Sequence, residues 1–149
     1  MSASVEFHVL ESADESAWLK YICELTQSLH ARQERLVIQS DEPGFLVAVD
    51  EKLWTYHEDS FIPHERITKP MACSPNGPVL LTSLSIDTDT LIYLGLEPLT
   101  GFINAKRIID VIDANPKRRE AGRQRFASYR KLGISPQTIK NPPNPAAKA

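Results

Sequence analysis

The sequence predicts an α/β fold of three layers, in which helices cover both faces of a mostly parallel β-sheet. Strand-like and helix-like segments alternate along the first half of the chain, which is the order typical of a parallel sheet. Two later segments, residues 79–83 (VLLTS) and 90–96 (TLIYLGL), are apolar without alternation, as strands buried on both faces are. With 149 residues, of which 42% are hydrophobic and 24% charged, the chain fits one folded domain. We expect that domain to span residues 1–140.

The first strand and helix are predicted from the opening of the chain. Residues 5–10 (VEFHVL) alternate and are rich in strand formers. Ser12 with Glu15 three residues later matches a helix capping box. Apolar residues then recur at helical spacing through about residue 33, which predicts an amphipathic helix.

A second strand and helix follow directly. Residues 35–40 (RLVIQS) predict the strand, and the helix opens at Asp41 or Glu42 with Pro43 in its first turn, where proline is well tolerated. Residues 56–78 then contain four prolines and little periodicity, so an irregular stretch is expected there.

The C-terminal part predicts one more strand, a helix and a tail. Residues 107–113 (RIIDVID) favour a strand, with a helix as the open alternative. Pro116 starts a helix that is expected to run through residue 132 and to end at Gly133. Residues 141–149 (NPPNPAAKA) are proline-rich and lack apolar bulk, so a disordered tail is predicted.

Motifs for common chemistries are missing from the sequence. The turn after the first strand, ESADES, has no glycine and several acids, so it would repel a phosphate, and no P-loop, dinucleotide fingerprint or nucleophile elbow occurs. The fold is therefore expected to resemble a nucleotide-binding fold without its phosphate-binding loop. No enzymatic activity and no cofactor are expected. His8 and His30 are interpreted as structural histidines.

Two metal hypotheses stay open as weak alternatives. His57, His64 and Cys73 are the best candidate ligands, but their spacing lacks the close pairs of structural zinc sites. The acid pairs Asp87 with Asp89 and Asp110 with Asp113 flank predicted strands and are a second candidate, for magnesium.

The cysteines and apolar stretches indicate the compartment. Cys23 lies in an apolar helical pattern and is expected to be buried, whereas Cys73 is expected to be half exposed. Two cysteines do not make a disulfide framework, which fits a reducing cytoplasm. The longest apolar stretch has six residues where a membrane helix needs about 20, and no secretory signal is recognisable, so a soluble cytoplasmic protein is expected.

The charge distribution is strongly asymmetric. Residues 1–115 contain eight Lys/Arg and eighteen Asp/Glu, a net charge of −10, whereas residues 116–149 contain nine Lys/Arg and one acid, a net charge of +8. Such a protein should repel nucleic acid over most of its surface and attract an anionic partner at one place.

The basic segment has an ordered pattern. At about 100° per residue, Arg119, Arg123, Phe126 and Arg130 fall within an arc of roughly 60° on the last predicted helix. Arginine forks beside an aromatic ring can bind a peptide that carries acids and ends in a large apolar residue. An ordinary solvated helix face is the alternative. Arg125 falls on the apolar side and is expected to snorkel or to pair with an acid of the domain.

That apolar side is expected to bury two residues, Tyr129 and Leu132.

A second group of aromatic residues lies in LWTYHEDSFIPH, residues 53–64. Trp54 ends the second predicted helix, and Phe61 and Pro63 lie in the irregular stretch. Exposed aromatic residues are frequent anchors of protein interfaces. Covering one edge of the core is the equally open alternative.

These two segments resemble the chi subunit of the bacterial DNA polymerase III holoenzyme, an accessory protein of its clamp loader. A Leu-Trp pair followed at a seven-residue step by Ser-Phe and then hydrophobic-Pro-His is similar to Leu53, Trp54, Ser60, Phe61, Ile62, Pro63 and His64. An Arg-x-Arg-aromatic-x-x-Tyr-Arg pattern with a following glycine is similar to Arg123, Arg125, Phe126, Tyr129, Arg130 and Gly133. The order of strands and helices also agrees over most of the chain.

The resemblance implies an α/β fold without nucleotide binding, and two partners. One is the psi subunit, which links chi to the clamp loader. The other is the acidic C-terminal tail of single-stranded DNA-binding protein, which ends in phenylalanine. Arg123 would bind the terminal carboxylate, Arg119 (in place of a family lysine) the aspartates, and Phe126 (in place of a tyrosine) the phenylalanine ring. Trp54, Phe61 and Pro63 would lie near this pocket.

Two other functions remain as alternatives to the tail-binding adaptor. In the first alternative, the basic helix binds nucleic acid directly, although it has few aromatic rings on which bases stack. The second is a small metal-dependent enzyme that uses the histidines or the aspartate pairs.

Overall fold

The computed structural model describes residues 4–55, 62–75, 77–97 and 105–142. These residues form seven strands and three helices, so the predicted α/β class is confirmed. In chain order they are β1 (Ser4–Val9), α1 (Glu15–Ala31), β2 (Leu36–Gln39), α2 (Pro43–Thr55), β3 (His64–Arg66), β4 (Val79–Thr82), β5 (Thr88–Tyr93), β6 (Ala105–Ile112), α3 (Pro116–Lys131) and β7 (Gln137–Lys140). The described strands pair in parallel throughout, in the order β3-β4-β2-β5-β6-β1-β7.

The sheet divides the core into two apolar clusters. Successive side chains of a strand point to opposite faces. Leu36 and Ile38 of β2 accordingly pack with α1 and α2, whereas Val37 packs on the other side. There the covering helix is α3, which contributes Phe126 and Tyr129. The three layers are therefore α1 with α2, the sheet, and α3.

The start of α1 differs from the predicted capping box. Its N-cap is Asp14, whose carboxylate accepts a hydrogen bond from the Ser16 N–H at 3.3 Å. Ser12 lies outside the helix because its carbonyl accepts the Ala114 N–H at 3.0 Å, which holds it beside the end of β6. The Ser12 hydroxyl instead accepts the Asp14 N–H. Glu15 is thus the first helical residue.

Two strands at the edges of the sheet were not predicted. β3 lies inside the stretch expected to be irregular, and β7 follows α3 where no element was expected. Both strands are short and their side chains are largely exposed. Neither therefore has the apolar pattern from which a strand is predicted. The open choice at residues 107–113 resolves as a strand, because that segment lies within β6.

A chain of polar contacts joins α1 to the sheet through His8. The Tyr21 hydroxyl lies 2.6 Å from His8 Nδ1, and Glu6 Oε1 lies 3.1 Å from His8 Nε2. Arg107 donates two hydrogen bonds to the same carboxylate. The hydrogen bonds from His8 and then Arg107, acting against burial, lower the pKa of Glu6 to about 2. His8 therefore links α1 to β1, and Glu6 extends the chain of contacts to β6.

Both cysteines are buried, which corrects the expectation for Cys73. Cys73 is 6% exposed, and its thiol lies 3.6 Å from the Leu36 carbonyl oxygen. The segment before β4 packs back against the α3 face of the sheet, which covers this side chain. Burial raises the pKa of the Cys73 thiol, and it raises that of Cys23 to about 12.

Candidate functional site

Helix α3 begins at Pro116, as the sequence predicts, and ends at Lys131, one residue before the predicted end. The Asn115 side chain caps it by accepting hydrogen bonds from the N–H groups of Lys117 and Arg118, both at 3.1 Å. Pro116 occupies the first turn, where its missing N–H is no loss. At the other end Gly133 has φ of 83°, a left-handed conformation that glycine adopts without strain.

Two arginines of α3 form buried ion pairs inside the protein. Arg118 donates to the Asp113 carboxylate at 3.0 and 2.7 Å, and Arg125 donates to Asp110 at 2.7 and 2.6 Å. Arg125 also donates to the Gly95 carbonyl oxygen. Both arginines are less than a tenth exposed. The prediction that Arg125 pairs with an acid is confirmed.

These pairs explain the acids at the end of β6. Asp110 and Asp113 are fully buried, and each faces one guanidinium group. Burial raises the pKa of Asp110, and the hydrogen bonds from Arg125 oppose that change. Carboxylates bound in this way hold α3 on the sheet, and their oxygens are not offered to a magnesium ion.

The other arginines of α3 remain on the surface and form the cationic stripe of Arg119, Arg123 and Arg130. The Arg123 side chain is 69% exposed, and its nearest acid is Glu120 at 3.9 Å. Arg119 is half-buried and Arg130 exposed. Within the described residues neither of these two has an ion-pair partner. Among the residues that the structure describes, Arg119 and Arg130 thus carry positive charge without a paired acid, and Arg123 is paired with an exposed glutamate of its own helix.

Phe126 lies beside the cationic stripe at the border of the core. It is half-buried, and its ring centroid lies 5.4 Å from that of Phe7 on β1. Tyr129 packs against the same Phe7 ring at 6.0 Å and is buried, as predicted. The second residue expected on that face, Leu132, is 65% exposed. The helix ends at Lys131, so helical spacing no longer places Leu132 over the sheet.

Trp54 lies at the end of α2 and is 61% exposed. Its ring centroid lies 5.1 Å from that of His64 on β3. His64 in turn lies 2.8 Å from an oxygen of Asp50, which also binds Arg66 at 2.9 Å.

Around Trp54 runs a shallow groove of about 580 Å³ between α1 and α2, lined by Leu19, Ala48, Glu51, Lys52, Trp54 and Thr55. Pro63 is half-buried. Phe61 lies outside the described residues, as does His57.

The structure does not bring Trp54 together with the cationic stripe. Leu53, the neighbour of Trp54, belongs to the cluster under α1 and α2, whereas Phe126 belongs to the cluster on the other face of the sheet. Trp54 and Phe126 thus lie on helices that cover opposite faces of the sheet, and a pocket that also includes Phe61 stays a prediction. α2 follows β2 and α3 follows β6, and the chain crosses to opposite faces in these two connections, which spacing along the sequence does not reveal.

The remaining metal candidates are dispersed. In the part of the chain that the structure describes, no group of three His, Cys, Asp or Glu side chains could hold a metal ion. Asp89 accepts a hydrogen bond from Arg35 at 3.0 Å, which lowers the pKa of that carboxyl, and Asp87 lies 3.9 Å from the same arginine. Among the described residues, no helix is both long and apolar enough to cross a membrane.

Comparison with known proteins agrees with the two motifs. The family model described as DNA polymerase III chi subunit, HolC, matches residues 1–137. The chain belongs to the chi subunit family of DNA polymerase III. A relative in Pseudomonas aeruginosa, DNA polymerase III subunit chi, is 30% identical over 139 residues, which make up 93% of this chain and 96% of that protein. The chain is thus a replication accessory subunit of that polymerase.

In this chi-family chain the C-terminal motif divides into two halves. Arg125, Tyr129 and Gly133 have structural tasks: a buried ion pair, core packing and the end of the helix. Arg123, Phe126 and Arg130 face outward or border the core. A motif read as one unit in the sequence therefore combines an anchor for α3 with a surface available to a partner.

Proposed function

We propose that the chain is a non-catalytic adaptor that binds the acidic C-terminal tail of single-stranded DNA-binding protein and connects it, through the psi subunit, to the clamp loader. The observation that carries the proposal is the cationic stripe beside Phe126. Arg123 and Arg130 are exposed and Arg119 is half-buried beside a half-buried ring, and Glu120 is the one acid that pairs with the stripe among the described residues. This combination fits a peptide that carries acids and ends in an aromatic residue.

Each member of the site has a chemical task. Arg123, whose side chain is 69% exposed, would hold the terminal carboxylate in a bidentate geometry. Phe126, seated against Phe7, offers an apolar wall to the terminal phenylalanine ring. Arg119 and Arg130 would attract the aspartates before it and accelerate encounter at low salt.

The lack of catalysis is supported by what occupies the carboxyl ends of the strands. In open α/β sheets the active site lies at that edge. Here Asp113, directly after β6, is bound to Arg118, whose guanidinium also stacks over the Trp18 ring at 4.4 Å. These two charged groups are engaged in holding α1, β6 and α3 together.

The groove at Trp54 is our candidate for the psi subunit. An adaptor needs two surfaces that do not overlap, and this one lies on the other face of the sheet from the cationic stripe. An exposed tryptophan beside a shallow apolar groove is a typical interface anchor. Direct binding of nucleic acid is disfavoured because residues 1–115 carry a net charge of −10.

Titration with an acidic peptide that ends in Asp-Pro-Phe tests the proposal. We expect Arg123→Ala to weaken binding at least tenfold, because a carboxylate buried by the docked ring would lose its charge partner. Isothermal titration calorimetry gives the affinity. Lys131→Ala is the matched control, since Lys131 is an exposed cation of the same helix outside the stripe.

A peptide with an amidated C-terminus should bind wild type as weakly as the free-acid peptide binds Arg123→Ala. Equal affinity of wild type and Arg123→Ala for the free acid would contradict the assignment. Single-stranded DNA is the third ligand. Tight binding of DNA alone, abolished by the same substitution, would favour the nucleic-acid alternative.

A further inference from the structure

Strand β7 places two side chains on the same side of the sheet as α3. β7 pairs in parallel with β1, and the register sets Thr138 beside Phe7 and Lys140 beside Val9. Neighbours in register point to the same face of a sheet. Phe7 and Val9 belong to the cluster under α3, so Thr138 and Lys140 are directed to that face as well. Both are exposed.

The cationic stripe lies on the flank of α3 that faces β7. Arg125 reaches from one flank to Asp110 on β6 and to Gly95 after β5. The next residue, Phe126, packs on Phe7 of β1, which lies on the other side of β6. Residues on the Phe126 side of the helix therefore face the β1–β7 edge. The Phe7–Phe126 contact therefore lies between the stripe and β7.

Lys140 lies at the height of the stripe. α3 runs antiparallel to the strands it connects, since β6 and β7 are both parallel to β1. From the level of Phe7 and Phe126, Lys140 is two residues further along the sheet, about 6–7 Å. Because the helix runs the other way, Arg123 and Arg119 lie in that same direction from Phe126. The axial separation from Phe126 is about 4–5 Å for Arg123 and about 10 Å for Arg119. Lys140 thus faces the interval between the two arginines.

Hydrogen bonds of the next residue hold the backbone at Lys140, and among the described residues the Lys140 side chain is not in an ion pair. The N–H of the next residue, Asn141, donates to the Val9 carbonyl at 2.8 Å, and the Asn141 side chain donates to Glu11 at 2.8 Å. Among the described residues Lys140 has no ion-pair partner. It also lies beyond residue 137, where the match to the family model ends.

We infer that β7 forms the second wall of the peptide site and that Lys140 binds an acidic side chain of the docked peptide. The inference rests on the proposed function and deepens it: the peptide lies between α3 and β7. Its terminal carboxylate meets Arg123 from one side, and an aspartate upstream of its phenylalanine meets Lys140 from the other. The site would then contact the acidic groups of the peptide from two sides, whereas a single helix face would contact them from one.

Charge reversal at two lysines tests the inference. Lys140→Glu should weaken binding of the acidic peptide about fivefold to tenfold in low salt, as loss and reversal of one surface ion pair predicts. Lys131→Glu changes the net charge by the same amount. It should weaken binding less than about twofold, because Lys131 lies roughly 80–120° round α3 from the members of the stripe.

A second peptide, with asparagine in place of every aspartate, completes a double-mutant cycle. The difference between wild type and Lys140→Glu should vanish with this peptide, whereas the effect of Arg123→Ala should persist, because the terminal carboxylate is still present.

Equal losses for Lys140→Glu and Lys131→Glu, with wild type binding normally, would overturn the inference and leave the proposed function standing. If wild type binds neither the acidic peptide nor its asparagine form, the proposed function and the inference fall together. Urea unfolding of both glutamate variants shows whether either result reflects a damaged fold.

Discussion

Arginines of the same helix have opposite roles according to the acids that the sheet offers them. Arg125 and Arg118 face carboxylates at the end of β6 and are buried with them, while Arg123 has only an exposed glutamate on its own helix. A buried guanidinium is stable only with a partner of good geometry, and removing one member of such a pair leaves an uncompensated charge in the core. Arg125 is therefore an anchor whose loss should be felt by the whole domain.

We expect Arg125→Ala to lower the free energy of unfolding by about 3–5 kcal/mol, because the Asp110 carboxylate would remain buried without its partner. Arg130→Ala removes an exposed arginine of the same helix and should change it by less than about 0.5 kcal/mol. Urea unfolding followed by circular dichroism measures both.

The double variant Asp110→Leu with Arg125→Met should recover most of the loss, since apolar groups of similar size often replace a buried ion pair at little cost. A stability of Arg125→Ala equal to that of wild type would show that the pair does not anchor α3.

At the scale of the element, α3 approaches the sheet closely at Gly122. A Cβ built at this position would lie 2.7 Å from Cγ2 and 3.1 Å from Cδ1 of Ile112 on β6. Glycine inside a helix costs about 1 kcal/mol relative to alanine. The close contact explains why it is nevertheless present: it lets the helix settle far enough for Arg125 to reach Asp110.

Gly122→Ala is accordingly expected to destabilise the protein by about 1 kcal/mol, because overpacking of about 1–3 kcal/mol outweighs the gain in helix propensity. The midpoint of urea unfolding gives the sign. Ile112→Ala in the same chain removes both contacting carbons, so the two substitutions together should cost less than the sum of their separate effects. Higher stability of Gly122→Ala alone would contradict the close packing.

The elements that the sequence predicted differ from those it did not in one physical respect. β2, β4, β5 and β6 lie inside the sheet with apolar runs, and α3 has a proline at its start and a glycine after its end, so local signals suffice. β3 and β7 are edge strands of three and four residues with mostly exposed side chains. They are strands because β4 and β1 offer them hydrogen-bonding partners, and that information lies far away in the chain.

The candidate site was predictable to a similar degree. The charge asymmetry located α3, and helical spacing separated Arg123 and Phe126 from Tyr129. The partner of Arg125 lies 15 residues away and its second acceptor 30 residues away, so spacing indicated a buried arginine without naming what holds it. The inferred role of Lys140 depends on the β1–β7 register, for which the sequence near Lys140 carries no signal.

On the scale of the whole molecule, the sheet is a partition between two surfaces of different chemistry. The α3 face presents the cationic stripe and Lys140, whereas the other face presents Trp54 beside an apolar groove. In the proposed function, an acidic peptide and an apolar partner would bind these two surfaces at the same time without contact between them. This separation is what distinguishes an adaptor from a protein with one site for which partners compete.

Trp54→Ala is therefore expected to weaken binding of the psi subunit at least thirtyfold, as loss of a central aromatic anchor does. It should leave the affinity for the acidic peptide within about twofold of wild type, and Arg123→Ala should show the reverse pattern. Val47→Ala, which trims another exposed apolar side chain of α2, is the control for psi. Calorimetric titrations of wild type and each variant with psi and with the peptide measure these affinities. A loss of peptide affinity in Trp54→Ala would indicate a single shared pocket, and unchanged psi affinity would place the psi interface elsewhere.

Because the rings of Trp54 and His64 are in contact, the melting temperature of Trp54→Ala is measured alongside, so that a weakened α2–β3 contact is not mistaken for a lost interface.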